Sequence, residues 1–157
     1  MSALPPLPRD QRLAHRAFFK HWLTERVRWS DTDLVGHVNN LSFATYCETG
    51  RTEFLRELIR RDASSRVLLL LAQSNVCYFG EVHWPARVDV GTCILDIGES
   101  SCRMGHGLFY NEQCVGTADA LLVHIDETTR KPQAIPAFVR EHLAGRTPVS
   151  MGRLPAN

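Results

Sequence analysis

One loop carries the densest group of reactive side chains in the sequence. The segment SDTDLVGHVNN, residues 30–40, contains Asp31, Asp33, His37, Asn39 and Asn40, and helical spacing begins directly after it. A helix N-terminus presents unpaired backbone N–H groups and a partial positive charge, so it can hold an anion or a developing oxyanion. A carboxylate beside it, such as that of Asp33, can attack a carbonyl carbon or activate a water molecule. These are the two usual roles of a single carboxylate in acyl transfer, so acyl-transfer chemistry is one interpretation of the pattern.

The same residues also have purely structural explanations, and the residues alone do not decide between a catalytic and a structural role. Asp and Asn are common in turns and at helix starts because their side chains bond nearby backbone groups. A calcium loop is disfavoured, since its fifth position would be Val35 and its twelfth Ser42. The histidine and cysteine spacings fit no zinc site, so we expect no metal.

The elements around this loop follow from hydrophobic spacing. Residues 23–29 alternate as a half-buried strand does. Residues 41–61 carry apolar side chains at intervals of three and four, which predicts a long helix. Gly50 in its interior costs about 1 kcal/mol relative to alanine. We therefore expect a strand to pack closely against the helix at Gly50.

The rest of the chain predicts an antiparallel sheet. Runs rich in apolar and β-branched residues cover 67–79, 87–97, 102–110 and 114–125, with connections too short for parallel crossovers. Pro136 opens a short C-terminal helix that Gly145 closes. The fold class is α+β, with a five-stranded antiparallel sheet wrapped around one long helix.

Composition sets the remaining boundaries. Three prolines within residues 1–18 predict a loosely held N-terminal arm, followed by one domain over 19–145 and a flexible tail over 146–157. A net charge of +1 argues against nucleic-acid binding, and no apolar run is long enough to insert into a membrane. The N-terminus lacks the apolar core of a secretory signal, so a cytoplasmic protein is expected. The five cysteines are expected to be reduced and buried.

The run RVRWSDTDLVGHVNNLSFATYCETGRTEFLREL, residues 26–58, resembles the opening of the hot-dog-fold thioesterases, in the branch that contains 4-hydroxybenzoyl-CoA thioesterase. Its core is a strand followed by DTDxxGHVNN and by a helix that carries ExxR and EFL. The segments IGESS, LVHID and RKPQAIP, further along the chain, also resemble that family. The similarity spans about residues 23–143.

This resemblance implies an acyl-CoA thioesterase with a hot-dog fold. Asp33 matches the catalytic carboxylate of the family, and the backbone N–H of Asn40 matches the group that polarises the carbonyl. The substrate would be an acyl or aroyl thioester of coenzyme A or of a carrier protein, with no cofactor beyond the coenzyme A of the substrate. Protomers would pair edge to edge into a homodimer, or into a homotetramer built from two dimers.

The sequence departs from related enzymes that have His at the position of Asn40 or Tyr at that of Trp29. Orientation of the water then falls to Asn40, His37 or a neighbouring protomer. Candidate substrate-binding residues complete the predicted site: Trp29, Gly36, Asn39, Phe43, Tyr46, Trp84 and Arg87. Arg87 is a candidate because guanidinium groups match phosphate geometry.

Two other functions remain open from the sequence. A hot-dog dehydratase or hydratase would share acid and base roles between Asp33 and His37. A non-catalytic protein would bind acyl thioesters without hydrolysing them.

Overall fold

Five antiparallel strands pack against one face of a long helix in the computed structural model, which describes residues 10–61, 67–146 and 148. The sheet order is β1-β3-β4-β5-β2, so β1 and β2 form its edges. The predicted α+β fold is confirmed. The elements, in chain order, are β1 (His21–Arg26), α1 (Asn40–Arg61), β2 (Leu69–Tyr78), β3 (Arg87–Ile97), β4 (Ser101–Tyr110), β5 (Gln113–His124) and α2 (Ala137–Ala144).

The first strand ends earlier than its alternation predicted. It stops at Arg26, and residues Trp29–Asp31 form a 3-10 turn. The reason is local, because the Asp31 carboxylate accepts a 2.8 Å hydrogen bond from the Arg28 amide and closes the turn. Trp29 consequently lies outside the sheet.

The helix α1 packs on the sheet at Gly50, where the sequence predicts close contact with a strand. A Cβ atom at Gly50 would lie 2.9 Å from Thr92 Oγ1 and 2.9 Å from Val90 Cγ1, both on β3. Such contacts are too short for a real side chain, so the glycine is required by close packing. Apolar residues of α1 are buried along the same face: Phe43, Tyr46, Cys47, Phe54, Leu55 and Leu58.

The outer face of the sheet is covered by residues that precede β1. Leu13 and Phe18 are buried there, and Leu13 Cδ2 would be 2.5 Å from a Cβ atom at Gly105. The packing of residues 10–18 differs from the loosely held arm expected from the prolines, which lie outside the described residues. Of the tail expected over 146–157, only residues 146 and 148 are described.

Candidate active site

A cleft of about 420 Å³ opens at the N-terminal end of α1. Four residues predicted from the sequence line it: Asp33, His37, Asn40 and Phe43. Its remaining lining residues come from the loop that leads into α1, from the end of β2 and from the loop after β2: Val38, Tyr78, Phe79, Gly80 and Glu81. The fold thus brings together two segments that are about 40 residues apart in the sequence.

Asp33 is held by a tight turn. Its amide donates to the His37 carbonyl at 3.1 Å, and its carbonyl accepts from the Gly36 amide at 3.0 Å. Gly36 has a φ of 92°, which a residue with a side chain rarely adopts. Asp33 Oδ1 accepts from the Val35 amide at 2.9 Å, and the side chain is 32% exposed. The turn therefore fixes the carboxylate at the cleft while leaving it accessible.

The first turn of α1 leaves one backbone donor unused. Asn39 is the N-cap, because its Oδ1 accepts from the Leu41 amide at 2.7 Å. The amides of Ser42 and Phe43 donate to the Asn39 carbonyl. Within residues 10–61 and 67–146, the Asn40 amide donates to no protein group. This N–H group is therefore available to bond an anion or an oxyanion.

Imidazole and acidic side chains alternate in a row that starts at the Asp33 carboxylate and continues through His37, Glu81 and His83. His37 Nδ1 lies 4.0 Å from Asp33 Oδ2, and His37 Nε2 lies 4.0 Å from Glu81 Oε1. His83 follows, with Nε2 3.4 Å from Glu81 Oε2 and Nδ1 3.0 Å from the Gly36 carbonyl oxygen. Since a carbonyl only accepts, His83 carries its proton on Nδ1 when it is neutral.

An aromatic wall closes the other side of the cleft. The Phe43 and Tyr78 rings meet edge to face, with centroids 5.4 Å apart. The Tyr78 hydroxyl donates to the Asn40 carbonyl at 3.3 Å, and partial burial raises the Tyr78 pKa. Phe79 is also partly exposed here. Sequence reasoning missed Tyr78, Phe79, Glu81 and His83, although the polar run GEVH directly after a strand was a signal.

Several predicted substrate-binding residues lie outside the lining of this cleft. Tyr46 is buried below the loop and donates to Asp31 Oδ2 at 2.7 Å. Burial, reinforced by Asp31, raises the Tyr46 pKa. Asp31 Oδ2 also accepts a hydrogen bond from the Arg28 amide, so Asp31 holds the loop through both Tyr46 and Arg28. The Asn39 side chain is occupied as the helix cap. Gly36 allows the turn that holds Asp33, and its carbonyl accepts from His83.

Trp29, Trp84 and Arg87 lie away from the cleft lining as well. The two indole rings meet edge to face with centroids 5.3 Å apart. Arg87 borders a separate small pocket together with Arg26, Pro85 and Ala86. Pro85 and Ala86 of this pocket directly follow Trp84 in the sequence.

Two features are absent from the described residues. No three His, Cys, Asp or Glu side chains in that part of the chain are arranged to hold a metal ion. None of its helices is both long enough and apolar enough to cross a bilayer.

Comparison with known proteins places the chain in a family. Residues 27–143 match the thioesterase-like superfamily. Acyl-CoA thioester hydrolase YbgC from Escherichia coli O157:H7 is 30% identical over 125 residues, which cover 73% of this chain and 88% of that protein. The YbgC protein of Shigella flexneri matches equally.

Solved structures of relatives share the fold. A predicted thioesterase from Bacillus stearothermophilus aligns with a TM-score of 0.75 at 26% identity, covering 81% of this chain and 96% of the other. A thioesterase from Thermus thermophilus, complexed with coenzyme A and Zn, aligns with a TM-score of 0.71 at 26% identity. That alignment covers 81% of this chain and 94% of the Thermus protein.

Proposed function

The chain belongs to the thioesterase-like superfamily, and from that membership we propose that it hydrolyses an acyl or aroyl thioester of coenzyme A. The products are a carboxylic acid and free coenzyme A. One observation carries this proposal: the unused amide of Asn40 and the accessible carboxylate of Asp33 line the same cleft. A hydrogen-bond donor for an oxyanion and a group that supplies or activates the nucleophile are what acyl transfer needs.

The reaction begins with the substrate carbonyl oxygen at the Asn40 amide. Asp33 then attacks the carbonyl carbon, or removes a proton from a water molecule that attacks it. Either attack places negative charge on the carbonyl oxygen, where the amide and the helix dipole stabilise it. When the carbonyl re-forms, the C–S bond breaks and a thiolate leaves, which takes a proton from solvent. If Asp33 has attacked, a mixed anhydride remains, and a water molecule hydrolyses it to the carboxylic acid and regenerates the Asp33 carboxylate. If water has attacked, the carboxylic acid forms directly. A thiol with a pKa of about 8.5 needs no strong general acid to depart.

His37 is proposed to position the carboxylate and the water. It lies 4.0 Å from Asp33, between that carboxylate and Glu81. This separation exceeds a direct hydrogen bond but leaves the imidazole within reach through one water molecule. The acyl group is proposed to lie along Phe43, Tyr78 and Phe79, which supply the apolar wall of the cleft.

Thiol release tests the proposal. Short, long and aromatic acyl-CoA substrates are incubated with the native protein and with Asp33→Asn, with a correction for the five cysteines of the chain. We expect release by the native protein to fall by roughly 10²–10⁴-fold in the variant, the usual worth of a general base. Circular dichroism of both proteins verifies that the fold is intact.

The same assay separates the alternatives. A dehydratase would change the absorbance of a 3-hydroxyacyl-CoA without releasing thiol. A binding protein would raise its Tm with acyl-CoA and turn nothing over. Folded native protein that releases no thiol across the panel would refute the proposed hydrolysis.

We also propose that two copies of the chain pair along β2, as a dimer or within a tetramer. This edge strand contains no proline and no charged residue, although natural edge strands usually carry such protection. Leu70 and Leu71 are 40% and 48% exposed on it. Tyr78, the last residue of β2, lines the cleft, so a partner would lie beside the site.

Light scattering tests this pairing. The native protein should have two or four times the mass of the single chain, and Leu71→Lys should lower that mass. Thr52→Lys places the same charge on the exposed surface of α1 and should leave the mass unchanged. A native mass equal to one chain would contradict the pairing.

A further inference from the structure

Two arginines face each other across the ends of β1 and β3. Arg26 and Arg87 are direct partners in the antiparallel register, so their side chains leave the same face of the sheet. Cβ atoms of such partners lie about 5 Å apart, and like charges at that position destabilise a sheet. Both side chains are exposed. An anion between the two guanidinium groups would offset this repulsion.

No carboxylate of the described residues pairs with them. Within the described residues, neither Arg26 nor Arg87 makes a side-chain hydrogen bond or ion pair. The adjacent acid on this face is Asp89, two residues along β3, and it is already engaged. Its Oδ1 accepts from the Thr24 hydroxyl at 2.6 Å and its Oδ2 from the Arg16 guanidinium at 2.7 Å.

A pocket of about 350 Å³ lies between the two arginines, with Pro85 and Ala86 as its other walls. Next to Pro85 stands Trp84, 47% exposed, whose ring contacts that of Trp29, 72% exposed. Two indole rings this exposed present faces on which a planar base can stack. Cations for a phosphate and rings for a base therefore occur side by side.

The pocket lies close to the proposed catalytic cleft. Glu81 lines the cleft and Pro85 lines the pocket, and four residue steps separate them. A chain of that length spans at most about 14 Å. The hydrogen bond from His83 to the Gly36 carbonyl ties the connecting loop to the loop that holds Asp33.

We propose that the Arg26–Arg87 pocket binds the phosphates of the nucleotide portion of coenzyme A, with its purine on Trp84 or Trp29. This inference rests on the proposed function, since it assigns the distal end of the same substrate. Guanidinium groups suit this role because their planar donors match phosphate oxygens in pairs. The pocket would distinguish coenzyme A thioesters from thioesters that lack the nucleotide.

The test compares an acyl-CoA with the matching acyl-pantetheine, which has the same thioester but no nucleotide. The native protein should prefer the acyl-CoA by tenfold or more in kcat/KM. Arg26→Gln and Arg87→Gln should each reduce this preference, mainly through KM, and the double variant should abolish it. Adenosine 3′,5′-bisphosphate should compete with acyl-CoA for the native protein and compete poorly for the variants.

Lys20→Gln serves as the matched control. It removes one exposed positive charge from the residue just before β1, about 20 Å along the strand from Arg26. It changes net charge as the arginine variants do but should retain the native preference for acyl-CoA. Equal loss of preference in Lys20→Gln would show a general charge effect and overturn the assigned pocket.

Other results separate this inference from the proposed function. Equal kcat/KM for both thioesters would overturn the pocket while leaving hydrolysis established. If neither thioester is hydrolysed, calorimetry with adenosine 3′,5′-bisphosphate still decides. Binding that is lost in Arg87→Gln would support the pocket, and absence of binding would overturn it. Competition by inorganic phosphate at equal concentration would indicate a simple anion site and overturn the nucleotide assignment.

Discussion

The two ends of α1 use their polar groups differently. At the N-terminal end the Asn40 amide has no protein acceptor in the described chain, and the Asp33 carboxylate is accessible in a cleft. At the C-terminal end a groove of about 300 Å³ runs between α1 and β1, but its charges are satisfied. Arg146 donates to the Phe54 carbonyl at 2.8 Å and pairs with Glu57.

The size of these openings therefore says little about their function. Both are several hundred Å³, and both contain ionisable groups. The two openings differ in whether the folded chain leaves hydrogen-bonding groups without a protein partner. An accessible backbone donor with no protein acceptor stays available to a ligand, so its position beside an opening favours a role in binding or catalysis. Substitutions at the N-terminal end should change activity, and those at the C-terminal end should change stability.

The largest stability effect is expected for Gly50→Val, at the floor of the C-terminal groove. Its Cβ atom would lie 2.9 Å from Val90 Cγ1 and from Thr92 Oγ1. Overpacking of this kind costs about 1–3 kcal/mol. Calorimetry should show a lower Tm, while kcat per folded molecule stays near the native value.

Gly145→Ala is the control for that substitution. Gly145 has right-handed helical dihedral angles, and its nearest contact for a Cβ atom is an ordinary 3.6 Å. The variant should keep the native Tm or raise it slightly, by reducing the entropy of the unfolded chain. A Gly50→Val protein as stable as the native one would contradict the close packing of α1 on β3.

A smaller loss is expected for Arg146→Ala. The substitution removes the hydrogen bond to the Phe54 carbonyl, the pair with Glu57 and the stacking on the Phe54 ring, 5.2 Å away. Chemical denaturation should show a loss of about 1–2 kcal/mol, as for hydrogen bonds that involve a charged group. Arg56→Ala removes an exposed pair with Glu53 and should change stability by less than about 0.5 kcal/mol. Lower kcat/KM in Arg146→Ala at full stability would break the comparison.

A further test concerns a polar group under the middle of α1. His106 is fully buried, its Nδ1 lies 3.1 Å from Thr92 Oγ1, and its Nε2 has no partner in the described chain. Burial, assisted by Arg51, lowers its pKa to about 3. The unpaired His106 Nε2 atom is not accessible to solvent. The proposed site therefore differs from it in having a hydrogen-bonding group that is both unpaired and accessible.

The pH dependence of stability tests this burial. Between about pH 3 and 6.5 the unfolded chain binds a proton at His106 that the folded chain does not. Stability should therefore be full above about pH 6.5 and fall towards pH 3, by up to about 1.4 kcal/mol per pH unit. His21, whose pKa is also lowered, contributes with the same sign. In denaturation series, His106→Gln should flatten the slope of the free energy of unfolding against pH between pH 6.5 and 4.5. An unchanged slope would contradict the lowered pKa of His106.

Much of the fold follows from the sequence because the spacing of apolar residues is regular. The four later strands and the long helix lie within a few residues of their predicted bounds, and the need for Gly50 at a strand contact is confirmed. The end of β1 was mispredicted because alternation continues past Arg26, while the Asp31 side chain closes a turn that periodicity does not register.

The site was only partly predictable, for a physical reason. Asp33, His37 and Asn40 belong to one loop, so their proximity follows from the chain itself. Tyr78 and Glu81 reach the cleft through the pairing of β2 with β5 and through the following loop, and His83 lies beside Glu81. Long-range contacts of that kind have no local signature. Similarly, the Arg26–Arg87 pair depends on strand register, which spacing alone does not determine.

The central claim is that the unused amide at the start of α1 stabilises the oxyanion, and Asn40→Pro tests it most directly. Proline is favoured at the first position of a helix, so the substitution removes one N–H group while keeping the helix. Asn40→Ala removes the side chain and keeps the amide. Measured by thiol release, kcat should fall roughly 10²–10³-fold in Asn40→Pro, as for loss of an oxyanion donor, and little in Asn40→Ala, with both Tm values near native. Native activity in a folded Asn40→Pro protein would contradict the account.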